Sequence, residues 1–250
     1  EVVSVMDGKL IDFAGHMSRL RRSLGELNIP EPLTEAELLA VIRNLVQAND
    51  LDEGIVYMEI TRGTAERDFV YSDNLKPTIV MFHQVKSLVE NKANRDGVKL
   101  ISMPDLRWAR RDIKSVGLLA QVMAKQAASQ GGAYEALMIK EGHVTEGGSS
   151  SAYIVKDNVV VTHPLSNDIL PGITRASLLS LAADNEIEID ERAFTLEEAY
   201  DADEAFITAA STYVCPVVAI DDRPVGTGSV GPFVRKLQKV YLQHARSTAI

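Results

Sequence analysis

The stretch from Glu135 to Thr162 constrains the fold of this chain more than any other, because it predicts two consecutive β-hairpins. Its apolar and β-branched runs are interrupted at Glu141-Gly142 and at Asp157-Asn158, residue types that favour tight turns. Apolar residues at helical spacing follow from Thr174 to Ala183. The other elements expected in this half are strands near Val98 to Met103, Glu204 to Thr208 and Val217 to Ile220, and a final helix from Pro232 to Ala245.

The first 85 residues also combine strand and helix patterns. Asp7-Gly8 predicts a hairpin turn between strands at Val2 to Val5 and Lys9 to Phe13. Thr34 and Glu37 have the spacing of a capping box, so a helix is expected to begin there. The remaining elements expected here are a helix through Met17, Leu20, Leu24 and Leu27, and strands at Ile55 to Arg62 and Thr78 to Val85.

A polar stretch without periodicity, residues 87–97, is interpreted as an interdomain linker. It separates a small N-terminal domain, residues 1–86, from a larger domain, residues 98–250. Glu1 to Val5 has the pattern of the middle of a strand, so the small domain is expected to lack its first strands.

The charge and cysteine content exclude several classes of partner. A net charge of -9 makes nucleic acid and anionic membranes poor main partners, and no apolar run is long enough to cross a bilayer. Cys215 is the single cysteine, so no internal disulfide can form and a reducing cytoplasm is expected. The five histidines show no metal-ligand spacing, so no metal site is expected.

Lys114 is the strongest candidate for chemistry. Asp112 is a good N-cap, which predicts a helix that carries Lys114 in its first turn and stops at Gly131-Gly132. A helix N-terminus and three preceding arginines both disfavour the ammonium form, and the neutral amine is a nucleophile that forms Schiff bases. The alternative is a surface lysine on a solvated helix end. The apolar stripe expected on this helix is Ile113, Val116, Ala120, Met123 and Ala127.

Three motifs occur in a fixed order: Asp112 to Ser115, Val144 to Ser151, and Pro171 to Arg175. Together they resemble D-amino-acid aminotransferases, which are fold type IV enzymes that use pyridoxal phosphate. The resemblance implies an α+β fold with a small N-terminal α/β domain and a larger pseudo-barrel C-terminal domain. It also implies a homodimer.

The resemblance implies a role for each residue around the cofactor ring. Lys114 matches the Schiff-base lysine, which also shuttles a proton, and Glu146 matches the carboxylate that faces the pyridine nitrogen. Leu170 matches the residue that packs against the ring, and Ser149 lies among the hydroxyls near the cofactor. A turn glutamate, a core leucine and a turn serine are the alternatives.

The phosphate is expected to bind at the start of a helix. Ile173 and Thr174 match the family's phosphate cup, and Arg19 matches the arginine that pairs with the phosphate from the smaller domain. Ala210 and Ser211 match the opposite side, although alanine at 210 replaces the family's threonine. A simple N-cap at Thr174 and a basic, solvated helix face around Arg19 are the alternatives.

The substrate end departs from the family. Arg67 matches the arginine that holds the substrate carboxylate, whereas Phe69 replaces the histidine expected two residues later. Phenylalanine removes a donor and adds apolar surface, which could admit (R)-amines without a carboxylate. An exposed loop arginine, paired with Asp68, is the alternative for Arg67.

The leading hypothesis is a ping-pong transaminase that exchanges an amino group between a D-amino acid and a 2-oxo acid. Branched-chain L-amino-acid and (R)-amine transaminases are alternatives with the same chemistry. A lyase resembling aminodeoxychorismate lyase would eliminate instead, and a binding protein on this fold would have lost the cofactor. Lys114 and Glu146 together argue against the last of these.

Overall fold

The computed structural model describes residues 1–250, which form 13 strands and seven helices. The chain divides into two compact units, residues 1–87 with 248–250 and residues 88–247. The first unit contains β1 (Val2–Met6), β2 (Lys9–Leu10), α1 (Phe13–Glu26), α2 (Glu35–Ala48), β3 (Gly54–Thr61) and β4 (Thr78–Val85). From there the chain continues with α3 (Lys92–Asp96), β5 (Val98–Pro104), α4 (Leu119–Gln130), β6 (Glu135–Lys140), β7 (His143–Gly147), β8 (Ser151–Lys156), β9 (Val159–Thr162), α5 (Ile173–Asp184), β10 (Glu188–Glu191), α6 (Leu196–Tyr200), β11 (Glu204–Ala209), β12 (Tyr213–Ile220), β13 (Arg223–Pro224) and α7 (Pro232–Thr248).

The first unit is an antiparallel sheet in the order β2-β1-β3-β4, with α1 and α2 contributing to its apolar core. The turn at Asp7-Gly8 is confirmed, and both residues have the positive φ that a two-residue hairpin requires. The capping box is also confirmed, since the Glu37 N–H donates to Thr34 Oγ1 at 3.3 Å and the Thr34 N–H donates to Glu37 Oε2 at 2.7 Å. The strand expected to reach Phe13 ends at Leu10 instead, because Phe13 begins α1 and is buried in this core.

The second unit is built on one curled sheet in the order β10-β9-β8-β11-β12-β5-β6-β7, with β13 on β12. Four strands separate β7 from β8 in this order, yet only Gly148, Ser149 and Ser150 connect them in the chain. Four Cα–Cα steps span at most about 15 Å, so the sheet must curl until β7 approaches β8. The two predicted hairpins and the α+β fold with a pseudo-barrel are confirmed.

The helix predicted to begin after Asp112 is wrong at its N-terminus. α4 begins at Leu119, and Lys114 lies five residues before it in an irregular segment. The Asp112 carboxylate does not cap a helix but accepts two hydrogen bonds from Arg110, each 3.0 Å long. Ile113 is buried, which draws this segment into the interior. The lysine therefore does not lie in a first helical turn.

The apolar stripe expected on this helix is wrong as well. Val116 is 63% exposed and Met123 is 62% exposed, while the buried face of α4 consists of Ala124 and Ala128. Small side chains allow the helix to approach β6 closely, where they pack against Ala136 and Met138. The larger apolar residues are left on the outer surface.

Residues 87–97 are more ordered than the interdomain linker expected there. The Asn91 side chain accepts a hydrogen bond from the Asn94 N–H at 2.9 Å and begins the short helix α3. Asn94 is buried, and its side-chain amide donates to the Leu88 carbonyl at 2.8 Å. Residues from Leu88 onward group with the second unit. None of the seven helices is both long and apolar enough to cross a membrane.

Candidate active site

Glu146 is a buried carboxylate on β7, 4% exposed. Both hydrogen bonds that it accepts fall on Oε1, one from the Arg107 guanidinium and one from the Leu170 N–H at 3.0 Å. Its other oxygen, Oε2, accepts none. Burial raises the pKa of Glu146 to about 7, although the charge of Arg107 and the two donors act in the opposite direction. One carboxylate oxygen is therefore left for a donor from outside the chain.

Arg107 lies between two carboxylates. It donates through Nε and Nη2 to Asp105, at 2.9 and 2.7 Å, and through Nη1 to Glu146. The Thr145 hydroxyl donates to Asp105 Oδ2 at 2.7 Å. Burial opposes the charge of Arg107, but the two carboxylates outweigh it and raise its pKa. Burial likewise opposes ionisation of Asp105, yet Arg107 and Thr145 hold its pKa below the usual value.

The loop that contains Leu170, whose N–H donates to Glu146, is held in place by a second set of ion pairs. Arg111 donates from its backbone to the Asn167 carbonyl at 3.0 Å and from its side chain to Asp168 at 2.5 Å. Lys140 donates to the same Asp168 carboxylate at 2.8 Å. This side of Glu146 is therefore held in place by residues from β6 and from the segment after β5.

Lys114 lies in the second unit and is half-buried. The segment before it is fixed by the Arg111–Asp168 pair and by buried Ile113, whose N–H donates to the Arg110 carbonyl at 3.2 Å. The same segment supplies Arg107 to Glu146. One irregular stretch thus carries both the lysine and the partner of the glutamate.

The first backbone N–H groups of α5 have no hydrogen-bond acceptor within the helix. Gly172 occupies its N-cap without a capping side chain, and the first helical hydrogen bond runs from the Ala176 N–H to the Gly172 carbonyl at 3.0 Å. The N–H groups of Ile173 and Thr174 therefore have no partner within the helix, which suits an anion. Thr174 is buried and Ile173 is half-buried.

The turn between β11 and β12 lies at the same end of the sheet. Thr208 on β11 pairs with Ser151 on β8, and a Cβ at Gly172 would lie 2.7 Å from Ser151 Oγ. Ala210 and Ser211 are half-buried in this turn. The next residue, Thr212, has a buried hydroxyl without a hydrogen-bond partner. The sequence interpretation did not include Thr212; its place directly after Ser211 was the available signal.

These residues fit pyridoxal phosphate. The Glu146 Oε2 atom can accept from a pyridinium, and the N–H groups at α5 with the Thr212 hydroxyl can donate to a phosphate. Ile173 is three Cα–Cα steps along the chain from Leu170, whose N–H donates to Glu146, so the two residues are at most about 10 Å apart. A small aromatic phosphate can bridge such a distance.

Ser149 does not contact the residues that fit the cofactor. Its N–H and hydroxyl donate to Glu135 Oε1, at 2.9 and 3.2 Å, and its hydroxyl accepts from Lys125 at 2.9 Å. The side chain is exposed, and its partners lie on β6 and α4. The geometry favours a structural role in the loop between β7 and β8. Leu170, by contrast, is half-buried and donates directly to Glu146.

Arg19, in the first unit, is buried and forms a two-pronged ion pair with Glu1 at 3.0 and 2.8 Å. The His16 ring lies 2.9 Å from the same carboxylate. Burial lowers the pKa of His16, whereas His16 and Arg19 overcome burial to lower that of Glu1. The basic, solvated face offered as an alternative is wrong for Arg19. Its role toward a phosphate stays a prediction.

Arg67 and Phe69 lie on the exposed loop between β3 and β4. The Arg67 guanidinium stacks over the Phe69 ring at 4.5 Å, and Phe69 is 87% exposed. The pair that was expected at the substrate end is therefore formed within one loop of the first unit. Its contact is cation–π rather than a carboxylate clamp.

Comparisons with known proteins identify the family of this chain. The family model described as amino-transferase class IV matches residues 1–220. A D-alanine aminotransferase of Bacillus licheniformis is 40% identical over 238 residues, which cover 95% of this chain and 84% of that protein. The solved branched-chain amino acid aminotransferase of Escherichia coli has a TM-score of 0.90 at 22% identity, covering 98% of this chain and 84% of that one, and supports the fold alone.

A second solved structure bears on the cofactor. The branched-chain amino acid aminotransferase of T.th., determined with pyridoxamine 5'-phosphate, has a TM-score of 0.87 at 26% identity and covers 99% of this chain and 84% of that one. The family match spans both units and includes Lys114, Glu146 and the start of α5. The chain therefore belongs to the class IV aminotransferases, and its cofactor is pyridoxal phosphate.

Proposed function

We propose that this enzyme transfers the amino group of a D-amino acid, D-alanine first among them, to a 2-oxo acid in two half-reactions. The observation that carries the proposal is the link between Glu146 and α5 through residues 170–172, in the unit that also carries Lys114. The choice of D-alanine rests on the 40% identical relative of that name.

Lys114 is proposed to act twice. Its amine would hold the cofactor's aldehyde before substrate arrives and, once displaced by the substrate's amino group, would take the proton from the substrate α-carbon and give it back during amino transfer. When bound, pyridoxal phosphate supplies the electron sink that makes this α-proton acidic. A half-buried position suits the role, because the lysine must reach substrate while remaining shielded from bulk water.

The remaining residues would hold the ends of the cofactor. Glu146 Oε2 would accept a hydrogen bond from the pyridinium N–H, which keeps the ring nitrogen protonated and charged. The N–H groups of Ile173 and Thr174 and the hydroxyl of Thr212 would donate to the phosphate. Ala210 can offer only a backbone donor, so the hydroxyl of Thr212 compensates for the one missing there.

Arg67 is proposed to hold the substrate carboxylate in place of an arginine–histidine pair. The Phe69 ring would then act by orienting the guanidinium from one face, 4.5 Å away, rather than by donating a hydrogen bond. A clamp with one member binds carboxylate less firmly than one with two. We therefore expect weaker dependence on the carboxylate than a full clamp would give.

The test is the absorption of the bound cofactor in single half-reactions with D-alanine, L-alanine and a primary (R)-amine. We expect the band of the cofactor's aldehyde form to disappear with D-alanine at least about 100-fold faster than with L-alanine, because Lys114 can reach the α-proton on one face only. Replacing Phe69→His should increase the rate with D-alanine relative to the (R)-amine. If L-leucine reacted faster than D-alanine in the same measurement, the branched-chain alternative would be favoured. Product in excess of one equivalent per enzyme without an added 2-oxo acid would favour the lyase, because a transaminase half-reaction stops after one equivalent.

A homodimer is part of the proposal. Large apolar side chains on and before α4 are more than half exposed, namely Val116, Leu119, Val122 and Met123. A contiguous apolar surface of this kind is unusual on a monomer, and a second copy of the chain would cover it. The buried thiol of Cys215 is compatible with the proposed cytoplasmic location.

Light scattering after size-exclusion chromatography tests the dimer. Leu119→Glu combined with Val122→Glu should convert the dimer to monomer, because two carboxylates would be buried without partners. Gln126→Glu with Ser129→Glu, two exposed positions on the same helix, is the matched control and should leave the dimer intact. A monomeric parent, or a dimer that survives both pairs of changes, would contradict this interface.

A further inference from the structure

We propose that Arg107 is a positioning residue for the cofactor: it fixes which oxygen of Glu146 faces the pyridine nitrogen and favours the ionised form of that carboxylate. The inference rests on the proposed role of Glu146 and extends it to a residue that would not touch the cofactor. Asp105 holds Arg107 in place by accepting two of its hydrogen bonds.

The first step concerns orientation. A carboxylate has two equivalent oxygens and can rotate, yet both donors to Glu146 bind the same oxygen, Oε1. Arg107 is in turn held by two hydrogen bonds to Asp105, so its fork cannot follow a rotating partner. The result is a single arrangement in which Oε2 is the oxygen presented to a ligand.

The second step concerns charge. Glu146 is buried, and the negative charge of Asp105 is close enough to favour its protonated form. Arg107 supplies the positive charge that opposes both effects, and the Tyr153 phenol near Glu146 is neutral because burial raises its pKa. Without Arg107, Glu146 would be protonated over a wider pH range and would no longer stabilise a pyridinium.

The variant Arg107→Met removes the charge and keeps an unbranched side chain. We expect the Kd for pyridoxal phosphate, measured by titrating apoprotein, to rise about 10-fold or more, as losses of supporting contacts often do. The absorption spectrum of the bound cofactor should move toward that of Glu146→Gln. Arg192→Met, which breaks an exposed ion pair with Asp190 and Glu198, is the matched control and should leave Kd and spectrum unchanged.

A double-mutant cycle separates action through Glu146 from a general structural effect. If Arg107 acts through Glu146, Arg107→Met in the Glu146→Gln background should change Kd by less than about 2-fold, whereas independent effects would multiply. Multiplying effects, or a parental Kd and spectrum in Arg107→Met, would overturn the proposal. No amino acid is present in these measurements, so they do not depend on the D-alanine assignment.

A second variant covers the case in which Arg107→Met does not fold. Arg107→Lys keeps the charge, but an ammonium cannot reproduce the planar fork that joins Asp105 and Glu146. We expect an intermediate Kd and a spectrum between those of the parent and Glu146→Gln. Parental values of both in Arg107→Lys would contradict the orienting role.

Discussion

Lys114→Ala should lower the rate of D-alanine-dependent amino transfer at least about 1,000-fold, because in the proposed roles of Lys114 it removes both the covalent attachment of the cofactor and the base that moves the α-proton. The chain should still bind pyridoxal phosphate, since Glu146 and the start of α5 are unchanged. Borohydride reduction followed by mass spectrometry should find the cofactor's added mass on the parent and not on the variant.

Lys125→Ala provides the control for loss of a lysine. Lys125 lies on α4 in the same unit, pairs with Glu135 at 3.1 Å and is partly exposed. Its removal should leave the amino-transfer rate within about 3-fold of the parent, because Lys125 contacts Glu135 and Ser149 rather than Lys114, Glu146 or the start of α5, and the buried Glu135 keeps its other hydrogen bonds. A Lys114→Ala variant that keeps a tenth of the parental rate, or the covalent mass, would rule out the proposed role of Lys114.

The elements predicted correctly from the sequence are those whose signals are local. Thr34 and Glu37 are three residues apart and satisfy each other, so the start of α2 needs no distant partner. The Asp7-Gly8 turn likewise depends on two residues with positive φ. Such signals survive folding because the contacts that create them lie within a few residues of one another.

The start of α4 was mispredicted because the decisive contacts are distant. Asp112 has the residue type of an N-cap, but Arg110 takes its carboxylate and Arg111 is bound to Asp168, 57 residues further along the chain. With these ion pairs formed, the segment stays irregular and α4 begins only at Leu119. The exposed Val116 and Met123 also look like core residues in a single sequence, since an apolar surface patch, here the proposed dimer surface, has the same sequence pattern as an interior.

The candidate site shows the same difference between local sequence signals and distant contacts. Roles for positions 114, 146 and 174 could be predicted by resemblance, but the partner of Glu146 could not, because Arg107 is 39 residues away from it. The pairing of Arg19 with Glu1 was missed for a similar reason. Residues that act on other side chains leave no spacing rule in the sequence, and only the folded contacts identify them.

Glu146→Gln should have two opposite effects, and their combination distinguishes a cofactor-binding carboxylate from a structural one. The amino-transfer rate should fall about 100-fold or more, because a neutral amide cannot stabilise a pyridinium as a carboxylate does. The apoprotein should become more stable at pH 8, because the change removes a buried charge while Arg107 keeps its bonds to Asp105. Urea unfolding of the apoprotein at pH 5 and pH 8 measures the second effect.

The sign of the pH dependence follows from the pKa of Glu146, about 7 in the folded chain against the usual value of 4.5. Between pH 4.5 and 7 the folded state keeps a proton on Glu146 that the unfolded state has lost. The free energy of unfolding contributed by Glu146 is therefore fully present at low pH and is lost as the pH rises through 7. Glutamine carries no such loss, and the stability of the variant relative to the parent should increase from pH 5 to pH 8. Glu197→Gln, on an exposed side chain, should show no such trend. The opposite result would be a parent whose free energy of unfolding increases relative to that of the variant as the pH rises. It would mean that Arg107 fully compensates the buried charge and that Glu146 and Arg107 form an ordinary buried ion pair.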